Sequence, residues 1–138
     1  MKPALIGLAF TLIAARATAG DIAAGANIFG KCKACHAITA PDGTVIRKGG
    51  KIGPDLYGVI GRQIGAFPGY NYSAAAVAAG SDGTRWDEPM ITAWLTDPSA
   101  WLQQKTGDGA AKSKMAYSLT IGGADVATYL ASVAPPAN

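Results

Sequence analysis

The chain has one histidine, His36, and only two cysteines, Cys32 and Cys35, in 138 residues. A zinc site needs four ligands, which these residues cannot supply. A disulfide across so tight a loop would be strained. No segment alternates convincingly with period two, and there are no internal repeats, so neither sheet-rich nor solenoid architecture is indicated. Charge of one sign is scarce as well: twelve Lys and Arg side chains face nine Asp and Glu, and two of the twelve, Lys2 and Arg16, lie in the first nineteen residues. Residues 20–138 then carry a net charge of +1 with His36 neutral, which makes no strong case for nucleic-acid or membrane binding. A long apolar run is also missing. Ala4 to Ala15 is a largely apolar stretch of only twelve residues, well short of the ~20 that a membrane-spanning helix requires.

That short run has the setting of an export signal. Lys2 gives the positive start and Ala17-Thr18-Ala19 a small-x-small cleavage site, with Arg16 the one irregularity. The expectation is a leader over residues 1–19, cleaved to leave Gly20 or Asp21 first, and a single domain over residues 20–138 in the periplasm. No stable membrane insertion is expected.

What is present is concentrated in Lys31-Cys32-Lys33-Ala34-Cys35-His36. Two cysteines three residues apart, with histidine directly after the second, form the attachment pattern of a c-type haem. If the segment is helical, residues at i, i+3 and i+4 share one face, so both thiols reach the two vinyl groups while the imidazole points at the iron. Cys32 and Cys35 would form thioethers and His36 would be an axial iron ligand, its other ring nitrogen held by a backbone carbonyl. A thioredoxin-like dithiol would need a preceding strand in a βαβ unit, and nothing upstream reads as one. Export agrees with the haem reading, because c-type attachment is completed across the bacterial inner membrane.

The rest of residues 20–138 reads as helices and long loops. Asp21 is a plausible cap for a helix carrying Ile22, Ala26 and Phe29 on one face. Gly25 inside it is either tolerated or packed closely against the segment from Gly123 to Val133, where Val126, Tyr129, Leu130 and Val133 recur at helical spacing. Residues 37–68 are rich in Gly and Pro and form a wrapping loop, for which a flat apolar cofactor offers a packing surface. Further helices are expected from Asn71 to Gly80, from Asp87-Glu88-Pro89 to Asp97, and from Pro98 onward. Residues 107–120 are irregular and hold Met115.

With one histidine, bis-histidine ligation within one molecule is excluded, leaving methionine, lysine or an open position. Met1 leaves with the leader, and Met90 sits in the first turns of a helix, where it more often packs into the core. Met115 lies in a polar loop, a poor place for an apolar side chain unless the loop folds it inward. Met115 is the favoured second axial ligand, with Met90 or a vacant site as the alternatives. A thioether favours ferrous iron, and two filled axial positions argue for electron transfer rather than enzyme chemistry.

These residues resemble the class I cytochromes c, most closely the bacterial cytochrome c2 type, over about Asp21 to Val133. The resemblance implies an all-α fold of three to five helices and long loops wrapped round one covalently attached haem c. It implies that Gly25 packs on Tyr129, and that Pro54, in Ile52-Gly53-Pro54-Asp55-Leu56-Tyr57-Gly58, accepts the hydrogen bond of the ligand histidine. Arg62 would lie near the haem propionates, with Tyr70, Tyr72 and Trp86 covering and bonding them. Lys114-Met115-Ala116-Tyr117 matches the family's ligand loop. Two departures stand out. Asp55 replaces the usual asparagine, and Trp94 replaces a tyrosine near the methionine sulfur, where only an N–H donor is then available. For Trp94 and Trp101, core packing is the preferred reading.

The resemblance further implies a monomeric one-electron carrier, not an enzyme, between a cytochrome bc1 complex and a photosynthetic reaction centre or cytochrome oxidase. Lys31, Lys33, Lys105, Lys112 and Lys114 neighbour the haem motif or ligand loop, and are either a positive docking face or ordinary solvated side chains. A small haem peroxidase or nitrogen-oxide reductase, or a dedicated subunit of a larger oxidoreductase, are the other readings.

Overall fold

The computed structural model describes residues 19–134. The export-signal reading therefore falls outside the described residues except for Ala19. Five α-helices are present among the described residues: α1 (Ile22–Ile28), α2 (Ala74–Ala79), α3 (Glu88–Thr96), α4 (Pro98–Thr106) and α5 (Gly123–Ser132). Their starts follow local chemistry. Asp21, Ser73, Asp87 and Asp97 each cap a helix by accepting from the backbone N–H three residues on, which satisfies a donor the helix itself cannot. Ser73 explains why α2 starts later than the alanine-rich composition suggests. Gly107, at φ 73°, closes α4 in the left-handed conformation, where a Cβ would be strained.

The core forms where α1, α3 and α5 meet. Phe29, Ile91, Leu95, Val126, Tyr129 and Leu130 are buried there with Ile38 and Val59 from the loop. Gly25 makes the α1–α5 crossing possible. A Cβ at that position would run into the Asp125 carbonyl and stand 2.7 Å from Tyr129 Cβ, so packing rather than tolerance is why glycine is there. Phe29 tilts against the Tyr129 ring at 5.8 Å between centroids. A second, smaller core of Ile64, Ala76, Ala79, Leu102 and Ala111 joins α2 to α4.

To the helices the structure adds one short hairpin, which no alternating pattern in the sequence announces. Ile38–Thr39 (β1) pairs antiparallel with Val45–Arg47 (β2), with a register irregularity at Ile38/Thr39. Two and three residues are too few to display a period of two, and Val45 and Ile46 are both exposed, so burial leaves no alternation to read. Arg47 fastens this hairpin to the helix crossing: its Nε donates to Tyr129 Oη at 2.9 Å and its Nη2 to the Ala26 carbonyl at 2.5 Å.

Candidate haem-binding site

A cavity of about 630 Å³ lies between the 31–36 segment, the loop after it, α3, the 113–117 loop and α5. It falls within the usual size of cofactor pockets. Leu56, Val59, Ile64, Ile91, Leu95 and Leu130 are among the apolar residues of its wall. Cys32, Cys35, His36, Pro54, Arg62, Tyr70, Tyr72, Trp86 and Met115, the residues singled out in the sequence, all border it. Met90 does not.

The attachment motif follows a short 3₁₀ turn at Phe29–Lys31. It is one turn rather than a helix, closed by Cys35 N–H and His36 N–H donating to the Cys32 carbonyl at 3.1 and 3.0 Å. That single turn is enough to put both thiols and the imidazole on one cavity. Glycine permits the loop to lie close beneath it: a Cβ on Gly53 would fall 2.6 Å from His36 Nδ1 and 2.7 Å from Nε2. Gly50 N–H donates to the Lys33 carbonyl and Gly53 N–H to that of Cys35, each at 2.9 Å.

His36 Nδ1 lies 2.7 Å from the Pro54 carbonyl oxygen. A carbonyl only accepts, so Nδ1 carries the proton and the Nε2 lone pair is available to a metal. Burial lowers the His36 pKa, against the Pro54 carbonyl and the Asp55 charge, which raise it; neutral imidazole is the ligating form. Burial raises the Cys32 thiol, and Cys35 adds to this while Lys31 opposes it. Both cysteines are free. Two free thiols and an oriented neutral imidazole on one apolar cavity are the donor set that a covalently attached haem requires.

On the other side of the sequence, Ser113 bends the loop by accepting from Met115 N–H at 2.9 Å through its hydroxyl. Trp94 Nε1–H donates to Met115 Sδ at 3.3 Å. The core-packing reading of Trp94 is thus only half of its role. Trp94 also stacks edge-on with Trp86 and Trp101, at 5.4 and 5.8 Å, whereas Trp101 is not on the cavity wall. Ser113 was missed in the sequence. A hydroxyl two residues before the methionine is a local turn signal that could have found it.

Arg62 borders the cavity while its guanidinium is anchored behind it. Nη1 donates to the Asp55 carbonyl at 2.8 Å, Nη2 to the Tyr57 carbonyl, and the Phe67 ring lies 4.6 Å away. Burial lowers its pKa and raises that of the Tyr72 hydroxyl. Tyr72 accepts from Phe67 N–H at 3.3 Å and meets Tyr70 edge-on at 4.7 Å. The five lysines divide. Lys31 and Lys114 border the cavity and Lys33 and Lys112 are exposed. Lys105 is instead held by Asp82 at 3.0 Å and by Thr84 Oγ1 at 2.9 Å.

No family model matches the chain. It is 51% identical over 126 residues to a protein named cytochrome c2 from Rhodobacter capsulatus, covering 91% of this chain and 92% of that one. It is 48% identical over 120 residues to a cytochrome c-550 from Paracoccus versutus, covering 86% and 78%. The solved structure of the Rhodobacter capsulatus cytochrome c2 superposes with a TM-score of 0.82 at 52% identity, over 83% of this chain and 98% of that one. Ferric cytochrome c-550 from Paracoccus versutus gives 0.82 at 47% identity, over 84% and 99%.

Proposed function

We propose, from the premise that this chain belongs to the cytochrome c2 and c-550 family of haem c electron carriers, that it is a periplasmic one-electron shuttle with His36 and Met115 as the axial iron ligands. Haem c supplies a one-electron couple and needs no substrate on the metal. The observation that carries the reading is that His36 and Met115, far apart in sequence, border the same cavity, the His36 ring oriented by its Nδ1–H bond to the Pro54 carbonyl and Met115 Sδ held by the Trp94 N–H. Cys32 and Cys35 would hold the cofactor covalently. Pro54 orients His36, and Arg62, Tyr70, Tyr72 and Trp86 would enclose the propionate side.

The partners that suit this reading are a cytochrome bc1 complex as donor and a photosynthetic reaction centre or cytochrome oxidase as acceptor. Lys31, Lys33, Lys112 and Lys114 would form the docking face, with Lys105 removed from it by Asp82. No helix among the described residues is long and apolar enough to cross a membrane, which suits a carrier that diffuses between membrane complexes. Removal of residues 1–19 would leave Gly20 first. Its N–H donates to Thr128 Oγ1 at 3.1 Å, so the new terminus would begin on α5.

The test is the absorption spectrum of the purified ferric protein with and without Met115→Ala. The expected result is a weak sulfur-to-iron charge-transfer band that the variant loses, together with carbon monoxide binding by the ferrous variant but not by the parent. A parent protein that lacks the band or readily takes up carbon monoxide overturns the ligation, and a colourless protein overturns the whole reading.

A further inference from the structure

Asp55 directly follows the residue whose carbonyl holds His36. Its side chain accepts from Thr39 N–H at 3.1 Å and from Tyr57 N–H at 2.8 Å, and both bonds end on the same oxygen, Oδ1. An asparagine side chain also has one acceptor oxygen and would satisfy the same two donors. Loop folding therefore requires the oxygen but not the charge. The charge is not consumed in an ion pair either. Among the described residues, the salt bridge present joins Lys105 to Asp82, and Arg62 donates to the Asp55 backbone carbonyl instead of its carboxylate. Asp55 is only partly buried, and the chain places it between two contacts of the cavity wall: the preceding carbonyl, of Pro54, takes His36 Nδ1 at 2.7 Å, and its own carbonyl takes Arg62 Nη1 at 2.8 Å.

We infer that Asp55 is a redox-tuning residue, whose fixed negative charge beside the proximal histidine favours the oxidised cofactor and lowers the reduction potential. This rests on the electron-carrier reading above, but not on the identity of the second axial ligand. One electron enters from the donor protein, no bond forms or breaks, and the site becomes more negative by one unit. A neighbouring anion opposes that change. At an effective dielectric constant of about 20, a unit charge about 12 Å from any redox centre changes the equilibrium constant for reduction by about tenfold, or about 59 mV for a one-electron couple. Arg62 offsets part of the field without reversing its sign, since removing the anion leaves the cation unopposed.

The experiment compares holoprotein carrying Asp55→Asn or Asp55→Glu with the parent, by redox titration against dyes, ferric absorption spectra and thermal melting. Asp55→Asn is expected to be about tenfold easier to reduce, with spectrum and melting unchanged, and Asp55→Glu to stay within about twofold of the parent. An Asp55→Asn potential equal to the parent's overturns the inference. So does an Asp55→Glu potential shifted as far as that of Asp55→Asn, because geometry and not charge would then be responsible. Failure of Asp55→Asn to fold or hold haem overturns it too, since an amide would not then suffice. A parent spectrum without the sulfur-to-iron band would count against Met115 as ligand and leave this comparison intact.

Discussion

Trp94 Nε1–H points at Met115 Sδ, 3.3 Å away, and joins the last turn of α3 to the loop that precedes α5. Sulfur is a weak acceptor and the indole has no acceptor of its own, so the contact works in one direction only: the ring holds the loop. Trp94→Phe keeps an apolar ring but removes the donor and some volume. The expected cost is about 1 to 3 kcal/mol of stability, read by denaturant unfolding. The loosened loop should let cyanide bind the ferric protein at least about fivefold more tightly, which a spectroscopic titration measures. An unchanged affinity would mean that the sulfur is held by other contacts.

Gly25→Ala tests the crossing of α1 and α5. The added methyl meets the Asp125 carbonyl and stands 2.7 Å from Tyr129 Cβ, and backbone cannot move aside as a flexible side chain can. Overpacking of this kind costs about 1 to 3 kcal/mol, occasionally more. Because Arg47 clips the hairpin to the same crossing through Tyr129 and Ala26, the hairpin amides should lose hydrogen-exchange protection together with those of α1. Loss in α1 alone would show the hairpin to be held independently.

Lys33 is exposed beside the attachment motif. The rate of electron exchange with an acidic redox partner should fall steeply as ionic strength rises, since charges more than about 10 Å apart are screened at 0.1 M salt. Lys33→Glu should slow the exchange severalfold at low salt and converge on the parent at high salt. Stopped-flow traces across a salt series decide this; parallel curves would argue against a docking role for this lysine.

Asp82 gives a pH dependence of known sign. Its carboxyl is held well below the usual carboxylate range, first by the Thr84 hydroxyl and amide and then by Lys105. A pKa lowered in the folded state contributes stability above the unfolded carboxylate value of about 3.9, and that contribution is lost as pH falls through the folded value. Asp82→Asn should therefore melt below the parent near pH 7, with the gap closing in strong acid. The pair is solvent-exposed, so the gap is small. Equal melting temperatures at pH 7 would show that the charge on Asp82 adds nothing to stability.

Much of the helical framework was legible because its causes are local. Asp21, Asp87 and Asp97 cap the helices they precede, and the Cys32, Cys35, His36 spacing needs only one turn of chain to act as a unit. The hairpin was not legible, because its strands are shorter than the pattern that reveals a strand. The lysines were not separable either, since nothing near Lys105 in sequence announces Asp82, which reaches this α4 residue from the loop after α2.

By itself the sequence determined the kind of chemistry: a Cys-x-x-Cys at 32–35 suited to covalent haem c, a single histidine directly after it, and helices for a frame. Such properties depend on residue type and on spacing within a few positions. Only the tertiary structure decided that Met115 and not Met90 faces the cavity, that Trp94 donates to its sulfur, and that Asp55 uses one oxygen for two amides and forms no ion pair among the described residues. Each of those depends on groups distant in sequence being brought within a few ångströms, and hydrogen bonds and van der Waals contacts act only over such distances.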